Sequence, residues 1–216
     1  MLDIYDYVKI NDVFKTAEKY NVRNILDHEI KVENFAGQIY DELNKKSYLI
    51  GSYYRNLLSC SAILHDVGCF INKSNHQRHT KYIILQEENF QAVPWELKHC
   101  LSIIAGSHGK NVDCDIQLYD IMKKKELLKL IAILRVSDAL DHTHRLNTAL
   151  EEINLEDNYL YIHVKSDNIG KIFLKLNNKS VLFEEMFSIK VRLKKVSVSY
   201  TNMTMPTNIQ VYITLV

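Results

Sequence analysis

Apolar residues recur every three to four positions along the first two thirds of the chain. Val32, Phe35 and Ile39 illustrate this spacing, which follows the 3.6-residue period of an α-helix. Beyond about residue 153 the pattern changes to alternation of apolar and polar positions, which is typical of half-buried strands. Two segments show it: Leu160, Ile162, Val164 and Ile209, Val211, Ile213, Leu215. The pattern predicts a mainly α fold, with a helical bundle over residues 1–150 and a small α+β subdomain over residues 151–216.

Start and stop signals divide the bundle into separate helices. One helix carries His28 and Val32 on the same face, and a second spans roughly residues 53–67 and ends at Gly68. A third runs from about 76 to 88, a fourth begins at Pro94 and continues to His108, and a fifth covers about 126–142. In the last third, residues 151–155 and 159–165 flank a polar triplet and predict a hairpin. Residues 169–187 are predicted to be helical, and two further strands follow.

Composition narrows the classes of function. The chain has 216 residues, of which 47% are apolar, so it can bury a sizeable core. Its formal charge of +1 argues against a nucleic acid duplex or an anionic membrane as partner. The longest apolar stretch, Leu127–Val136, is interrupted by two cations and is too short to span a membrane. Four cysteines without a CxxC pair, and an N-terminus unlike a signal peptide, indicate a reduced, cytoplasmic protein.

Polar residues occupy apolar positions on four predicted helices: His28, His65 with Asp66, His108, and Asp138. Burying such groups is costly unless they contact one another or an ion. Helices that converge on such a cluster can build a metal site. Mixed imidazole and carboxylate ligands favour Mn, Fe, Co, Ni or Zn, with Mg as a further option, and one or two ions are expected. His99 and His163, by contrast, are predicted to be solvated.

The order of these residues resembles the H…HD…H…H…D signature of HD-domain phosphohydrolases. Four stretches also resemble the C-terminal half of the exopolyphosphatase and guanosine pentaphosphate phosphatase family. They are AILHDVGCFINKSNHQRHTKYII at 62–84, IIAGSHGK at 103–110, LIAILRVSDALDHTHR at 130–145 and LFEEMFSIKVRLKK at 182–195. The resemblance covers nearly the whole chain. It implies a metal-binding HD-type helical bundle with a small α+β tail.

By this resemblance, two metal ions are expected in one inner cavity. The first ion would be held by four side chains: His28, His65, Asp66 and Asp138. The second would be held by Asp66, as a bridging ligand, with His79 and His108. An alternative is that His76, about one turn earlier, is the ligand and His79 only orients it. Two such ions lower the pKa of a shared water and neutralise charge on a phosphoryl group.

Cations around the cavity are needed to position a phosphorylated substrate. The candidates are Lys73, Arg78, Lys110, Arg135 and Arg145. Asp66, Lys110 and Arg145 are the predicted catalytic residues. Arg145 has an alternative role, since it lies four residues after Asp141 and could pair with it on the helix surface.

Two functions are consistent with these features. The first is hydrolysis of a phosphate ester or anhydride, such as a nucleotide, a dinucleotide polyphosphate, an alarmone or a polyphosphate-like substrate. The second is a non-catalytic regulatory or ligand-binding HD module. The family's polyphosphate-cleaving site lies in N-terminal actin-like ATPase-type domains, which have no counterpart in this sequence, so that activity is not expected here. A separate chain could supply those domains, and the strand-rich tail could mediate that pairing or a homodimer.

Overall fold

A computed structural model of the protein describes residues 2–21, 26–48, 51–141 and 148–196. Within these residues it contains eight α-helices and three strands. The helices are α1 Ile10–Lys19, α2 Leu26–Lys45, α3 Ser52–Leu64, α4 His76–Gln86, α5 Trp95–Gly106, α6 Ile121–Leu140, α7 Ile169–Lys179 and α8 Val181–Phe187. The strands are β1 Ala149–Glu156, β2 Tyr159–Lys165 and β3 Lys190–Lys195. The prediction of a mainly α fold with a small α+β part near its end is confirmed.

The sheet has the order β1-β2-β3. Strands β1 and β2 form the predicted antiparallel hairpin, in which Ile153 pairs with Ile162. Asp157 and Asn158 both have positive φ, as a two-residue hairpin turn requires, and these residue types tolerate that conformation. Strand β3 runs parallel to β2 after the crossover through α7 and α8. The second predicted strand of the tail, near Val211, lies outside the described residues.

Helix α6 is the centre of the bundle. It packs against α2, α3, α5, α7 and α8, and every residue from Leu130 to Leu140 is buried. A helix in this position is surrounded by protein on all sides, so the single apolar stripe predicted for it describes only part of its buried surface. It also begins five residues earlier than predicted, because Asp120 caps it by accepting a hydrogen bond from Lys123 N at 3.0 Å.

Helix α3 ends before the His65-Asp66 pair, earlier than predicted, and a 3-10 turn over Val67–Phe70 follows. Gly68 permits close contact between this turn and the start of α4. A Cβ atom on Gly68 would lie 2.0 Å from the His76 carbonyl oxygen, so a larger residue cannot fit without movement. Thr80 holds the contact, since its hydroxyl donates to His65 O at 2.8 Å and accepts from Gly68 N at 3.1 Å.

The boundary predicted near residue 150 stays a prediction. Residues 142–147, directly before β1, lie outside the described part of the chain. Helices α7 and α8, which follow this boundary in sequence, pack on α6, which precedes it. Among the described helices, none combines the length and apolar character that crossing a bilayer demands.

Candidate metal centre

Imidazoles and carboxylates from five segments meet inside the bundle. Helix α2 supplies His28, the residues directly after α3 supply His65 and Asp66, and α4 begins with His76. The segment after α5 supplies His108, and the last turn of α6 supplies Asp138. All are buried except His76, which is half-buried. The inner-face histidines and acids that the sequence singled out are therefore brought together, apart from His79.

Three of these imidazoles are fixed in the same way. The Nδ1 atom of each donates to the carbonyl oxygen three residues earlier, since a carbonyl can only accept. His65 donates to Ala62 O at 2.7 Å, His108 to Ala105 O at 2.7 Å, and His76 to Lys73 O at 3.0 Å. These bonds set the ring orientation and leave Nε2 as the atom with a free lone pair in a neutral ring.

The three Nε2 atoms converge on one carboxylate oxygen, Asp66 Oδ1. The distances to it are 3.2 Å from His76, 3.4 Å from His108 and 3.7 Å from His65. His76 Nε2 and His108 Nε2 lie only 2.9 Å apart. Because both rings already use Nδ1 as a donor, two lone pairs would face each other in the neutral rings, and a proton or another cation between them is required.

His28 and Asp138 form the other side of the cluster. His28 Nδ1 lies 3.0 Å from Asp141 Oδ2, and its Nε2 lies 3.7 Å from Asp138 Oδ1. A carboxylate bound to one ring nitrogen orients the imidazole and makes the other nitrogen a better ligand, as is common around protein-bound metals. Asp141 is 1% exposed, so this contact is not a surface ion pair. The sequence had given Asp141 only a pairing with Arg145, which lies outside the described residues.

The electrostatic state of the cluster suits a cation. Burial lowers the pKa of His65 to about 4, so its ring is neutral at neutral pH. Burial alone would raise the pKa of Asp66, but the neighbouring His65, His108 and His76 lower it well below its usual range. Metal ions bind neutral imidazoles and ionised carboxylates.

A buried ring nitrogen of the cluster also suits a cation as its partner. His65 Nε2 is buried and has no hydrogen-bond partner among the described residues, which is rare for a polar group in a protein interior. Ligand atoms of His28, His65 and Asp66 lie within 4.8 Å of one another, and so do those of Asp66, Cys69 and His76. The residues present therefore fit one or two divalent ions. Cys69 is a candidate ligand that the sequence analysis did not consider.

A cleft of about 890 Å³ opens onto this cluster. Its walls come from the turn after α3, the start of α4, the segment after α5, and helices α6 and α7. Thirteen residues line it: Asp66, Cys69, Lys73, His76, Gln77, His108, Gly109, Lys110, Arg135, Asp138, Lys175, Asn178 and Lys179. Five of them are cations and two are carboxylates, so the cleft is suited to an anionic ligand.

Helix α7 supplies two of these cations, Lys175 and Lys179, and the sequence analysis missed both. Lys179 forms an ion pair with Asp138 and donates to His108 O at 3.0 Å. Burial alone would raise the pKa of Asp138, and the charge of Lys179 lowers it below its usual value. For Lys175, burial and the nearby Lys179 lower the pKa. No signal near these lysines in the sequence indicates that α7 returns to the bundle.

The structure places His76, and not His79, at the cluster. His79 is half-buried and is not among the residues that line the cleft, whereas His76 contacts both Asp66 and His108. At about 100° per residue, His76 lies near the middle of the buried face of α4, which Thr80, Ile83 and Ile84 define. His79 lies at the edge of that face and is not among the residues that line the cleft.

Four of the five predicted cations lie in the described part of the chain, and three of these four line the cleft. Lys73 and Lys110 are exposed residues at the edge of the cleft, and Arg135 is a buried residue in its wall. Arg78 is exposed and does not line the cleft, because it lies two residues beyond His76 on the opposite side of α4. Arg145, one of the predicted catalytic residues, lies outside the described residues.

His99 and His163 are buried, so the prediction that both are solvated is wrong. His99 is held between the Tyr119 hydroxyl at 2.9 Å and Asp115 at 3.2 Å. His163 is covered within the sheet, where β3 pairs with its strand. Neither residue lines the cleft.

A comparison with known protein families relates the chain to a phosphatase family. A family model described as "Ppx/GppA phosphatase, domain III" matches residues 8–180. The matched range extends from α1 through α7, and it includes every residue that lines the cleft.

Proposed function

Since this chain belongs to the Ppx/GppA phosphatase family, whose domain III it matches, we propose that it is a metal-dependent phosphohydrolase with HD-type metal ligands. The substrate is a phosphate ester or anhydride, for example a nucleotide, a dinucleotide polyphosphate or a guanosine alarmone. The family match gives the relation to phosphatases. The chemistry of the cleft supports the dependence on metal and the class of substrate.

One observation carries this proposal: the convergence of three Nε2 atoms on Asp66 Oδ1, with every Nδ1 committed to a carbonyl oxygen. A core built for stability alone gains little from buried imidazoles whose lone pairs face one another. The same arrangement is favourable once a divalent cation lies among them.

The ligand roles follow from the two sides of the cluster. His28, His65, Asp66 and Asp138 would hold one ion. Asp66, as a bridging ligand, would hold a second ion with His76 and His108. Divalent ions at such a site supply charge that stabilises phosphoryl oxygens and acidify a coordinated water.

The remaining residues position ligand groups and substrate. Asp141 orients His28 through its 3.0 Å contact, and the carbonyl groups before His65, His76 and His108 orient those rings. Lys73 and Lys110, at the cleft edge, neutralise charge on an incoming phosphorylated molecule. Lys110 follows His108 by two residues, so it is well placed to contact a phosphate bound near the ions.

The test combines metal analysis with a substrate panel. The purified chain is loaded with Mn²⁺ or Fe²⁺ and assayed against nucleotides, dinucleotide polyphosphates and simple phosphoesters. Asp66→Ala is expected to lower both the affinity for metal and the turnover by at least about 100-fold. Even removal of a residue that only hydrogen-bonds to a metal ligand lowers metal affinity or activity by about 10- to 100-fold. His76→Ala is expected to lower both as well.

His79→Ala is the matched control, since it removes the same side chain from the same helix outside the cleft. It should retain wild-type metal content and turnover. Wild-type protein that binds metal but shows no turnover above Asp66→Ala on any substrate would contradict the phosphohydrolase proposal. Wild-type protein that binds no divalent ion would contradict the metal site itself.

A second candidate function is a non-catalytic regulatory or ligand-binding module. The observation that favours it is the ion pair between Lys179 and Asp138, in which an ammonium group already neutralises a ligand carboxylate. The stoichiometry of bound metal separates the two functions. Two ions with exchangeable water favour catalysis, whereas one ion with a closed coordination sphere favours the regulatory role.

A further inference from the structure

Arg135 is a buried cation in the wall of the cleft. It is 8% exposed, and its Nε donates to Ser107 O at 2.8 Å. Its Nη2 atom has no hydrogen-bond partner within the segments that the structure describes. In the described part of the chain no carboxylate forms an ion pair with it. A guanidinium carries five N–H donors and cannot lose its charge, so this environment leaves donors and a full charge uncompensated.

Arg135 and Lys179 both line the cleft, and they bind neighbouring peptide groups. Arg135 binds the carbonyl oxygen of Ser107, and Lys179 binds the carbonyl oxygen of the next residue, His108, at 3.0 Å. The two cations therefore lie against consecutive peptide groups just after α5. An ammonium has three donors, and the contacts of Lys179 with His108 O and Asp138 use two of them. One donor stays available for a ligand.

Lys175 adds a third positive group on the same side of the cleft. It lies one turn before Lys179 on α7, and it makes no hydrogen bond or ion pair within the described residues. Like charges one turn apart repel each other, so the pair is unfavourable unless an anion lies between or above them. Asp138, which also lines the cleft, is already paired with Lys179.

We propose that Arg135, Lys175 and Lys179 form a binding subsite for a phosphoryl group, separate from the metal ligands and able to hold inorganic phosphate without a metal ion. A planar guanidinium and two ammonium groups match the several acceptor oxygens of a phosphate. The subsite deepens the proposed function, on which the choice of phosphate as the ligand class rests. It would hold the part of the substrate next to the reacting phosphoryl group.

The test measures phosphate binding by titration calorimetry on the full chain, after metal has been removed with a chelator and the chelator dialysed away. Inorganic phosphate is the probe, and acetate at matched ionic strength is the comparison. Arg135→Met and Lys175→Met are each expected to weaken phosphate binding by about tenfold, the effect of losing one charge-assisted hydrogen bond. Lys175 is half-buried and makes no ion pair within the described residues, so Lys175→Met is expected to fold. This variant still tests the subsite if Arg135→Met fails to fold.

Lys171→Met is the matched control. Lys171 lies on α7 one turn before Lys175, is exposed and does not line the cleft. It should bind phosphate with wild-type affinity. Arg135→Met should also retain wild-type metal content, which shows that the subsite is distinct from the metal ligands.

Three results would overturn the subsite: no saturable phosphate binding by the wild type, unchanged binding in both test variants, or acetate binding as tight as phosphate. None of them bears on metal content or on turnover with metal. Failure of this inference is therefore distinguishable from failure of the proposed phosphohydrolase.

Discussion

At the scale of single residues, the buried acids of this protein differ in what neutralises them. Asp66 contacts the imidazole rings of histidines, Asp138 forms an ion pair with the ammonium group of Lys179, and Asp141 contacts the ring of His28.

Glu87 does not line the cleft and lies where α4 ends. Its carboxylate accepts from the Tyr20 hydroxyl at 2.7 Å and pairs with Lys19 at 3.0 Å. Such contacts make stability depend on pH when the folded and unfolded pKa values differ.

Glu87→Gln is expected to reduce the free energy of unfolding by about 1–3 kcal/mol at neutral pH, the range for a buried hydrogen bond to a charged group. Burial alone would raise the pKa of Glu87, but the bonds from Tyr20 and Lys19 lower it below its ordinary value of 4.5. A lowered folded-state pKa stabilises the protein above pH 4.5, and this contribution is lost as the pH falls through the folded-state value. Urea denaturation should therefore show a difference that disappears in acid.

Glu88→Gln provides the control for that measurement, since Glu88 is an exposed neighbour. It should change stability little at any pH. A difference between Glu87→Gln and wild type that persists unchanged in acid would show that the carboxylate charge is not the cause.

At the scale of elements, the position of α4 decides whether the cluster forms. The 3-10 turn after Asp66 contacts the first turn of α4 through Gly68 and Thr80, and His76 opens that helix. The close approach depends on the missing side chain at Gly68, where a Cβ would lie 2.0 Å from His76 O and 2.3 Å from Thr80 N. Both of these neighbours are backbone atoms, so they cannot move aside by a rotamer change as the end of a flexible side chain can.

Gly68→Ala is expected to destabilise the protein by about 1–3 kcal/mol or more through overpacking. It should also weaken metal binding, because α4 has to shift and carries His76 with it. Thermal unfolding and metal titration measure the two effects.

The matched substitution is Gly170→Ala in α7, where a Cβ meets nothing within 4 Å. It should be neutral or stabilise by about 0.4–1 kcal/mol, because alanine restricts the unfolded chain. Equal effects of the two alanines would contradict the role given to the Gly68 contact.

At the scale of the whole molecule, the cleft joins parts of the chain that are distant in sequence. Helices α4 and α6 carry the proposed metal ligands His76 and Asp138, whereas α7, beyond the hairpin, supplies Lys175 and Lys179. The ion pair between Lys179 and Asp138 therefore links the C-terminal part to the centre of the bundle. A divalent ion at the proposed site would compete with this ammonium group for the Asp138 carboxylate.

Lys179→Met is expected to lower the stability of the metal-free protein by about 3–5 kcal/mol, the cost of leaving one buried charge unpaired. A divalent ion replaces the lost partner, so the rise in Tm on adding Mn²⁺ should be larger in the variant than in the wild type. Differential scanning calorimetry with and without Mn²⁺ measures both quantities.

Lys171→Met, on the same helix, should show the wild-type rise in Tm. A rise in Lys179→Met that equals the wild-type value would mean that Lys179 and the metal ion do not share Asp138.

The sequence by itself determined the mainly helical fold, the hairpin and most of the cluster. Helical periodicity and turn chemistry are local properties, so residues such as Asp157 and Asn158 indicate their own conformation. Polar residues such as His65 and Asp138 stand out because they interrupt an apolar face. Only the tertiary structure placed His76 rather than His79 at the cluster, and brought Cys69, Lys175 and Lys179 to the cleft. These outcomes depend on how helices that are distant in sequence pack together. Local sequence patterns do not determine that packing.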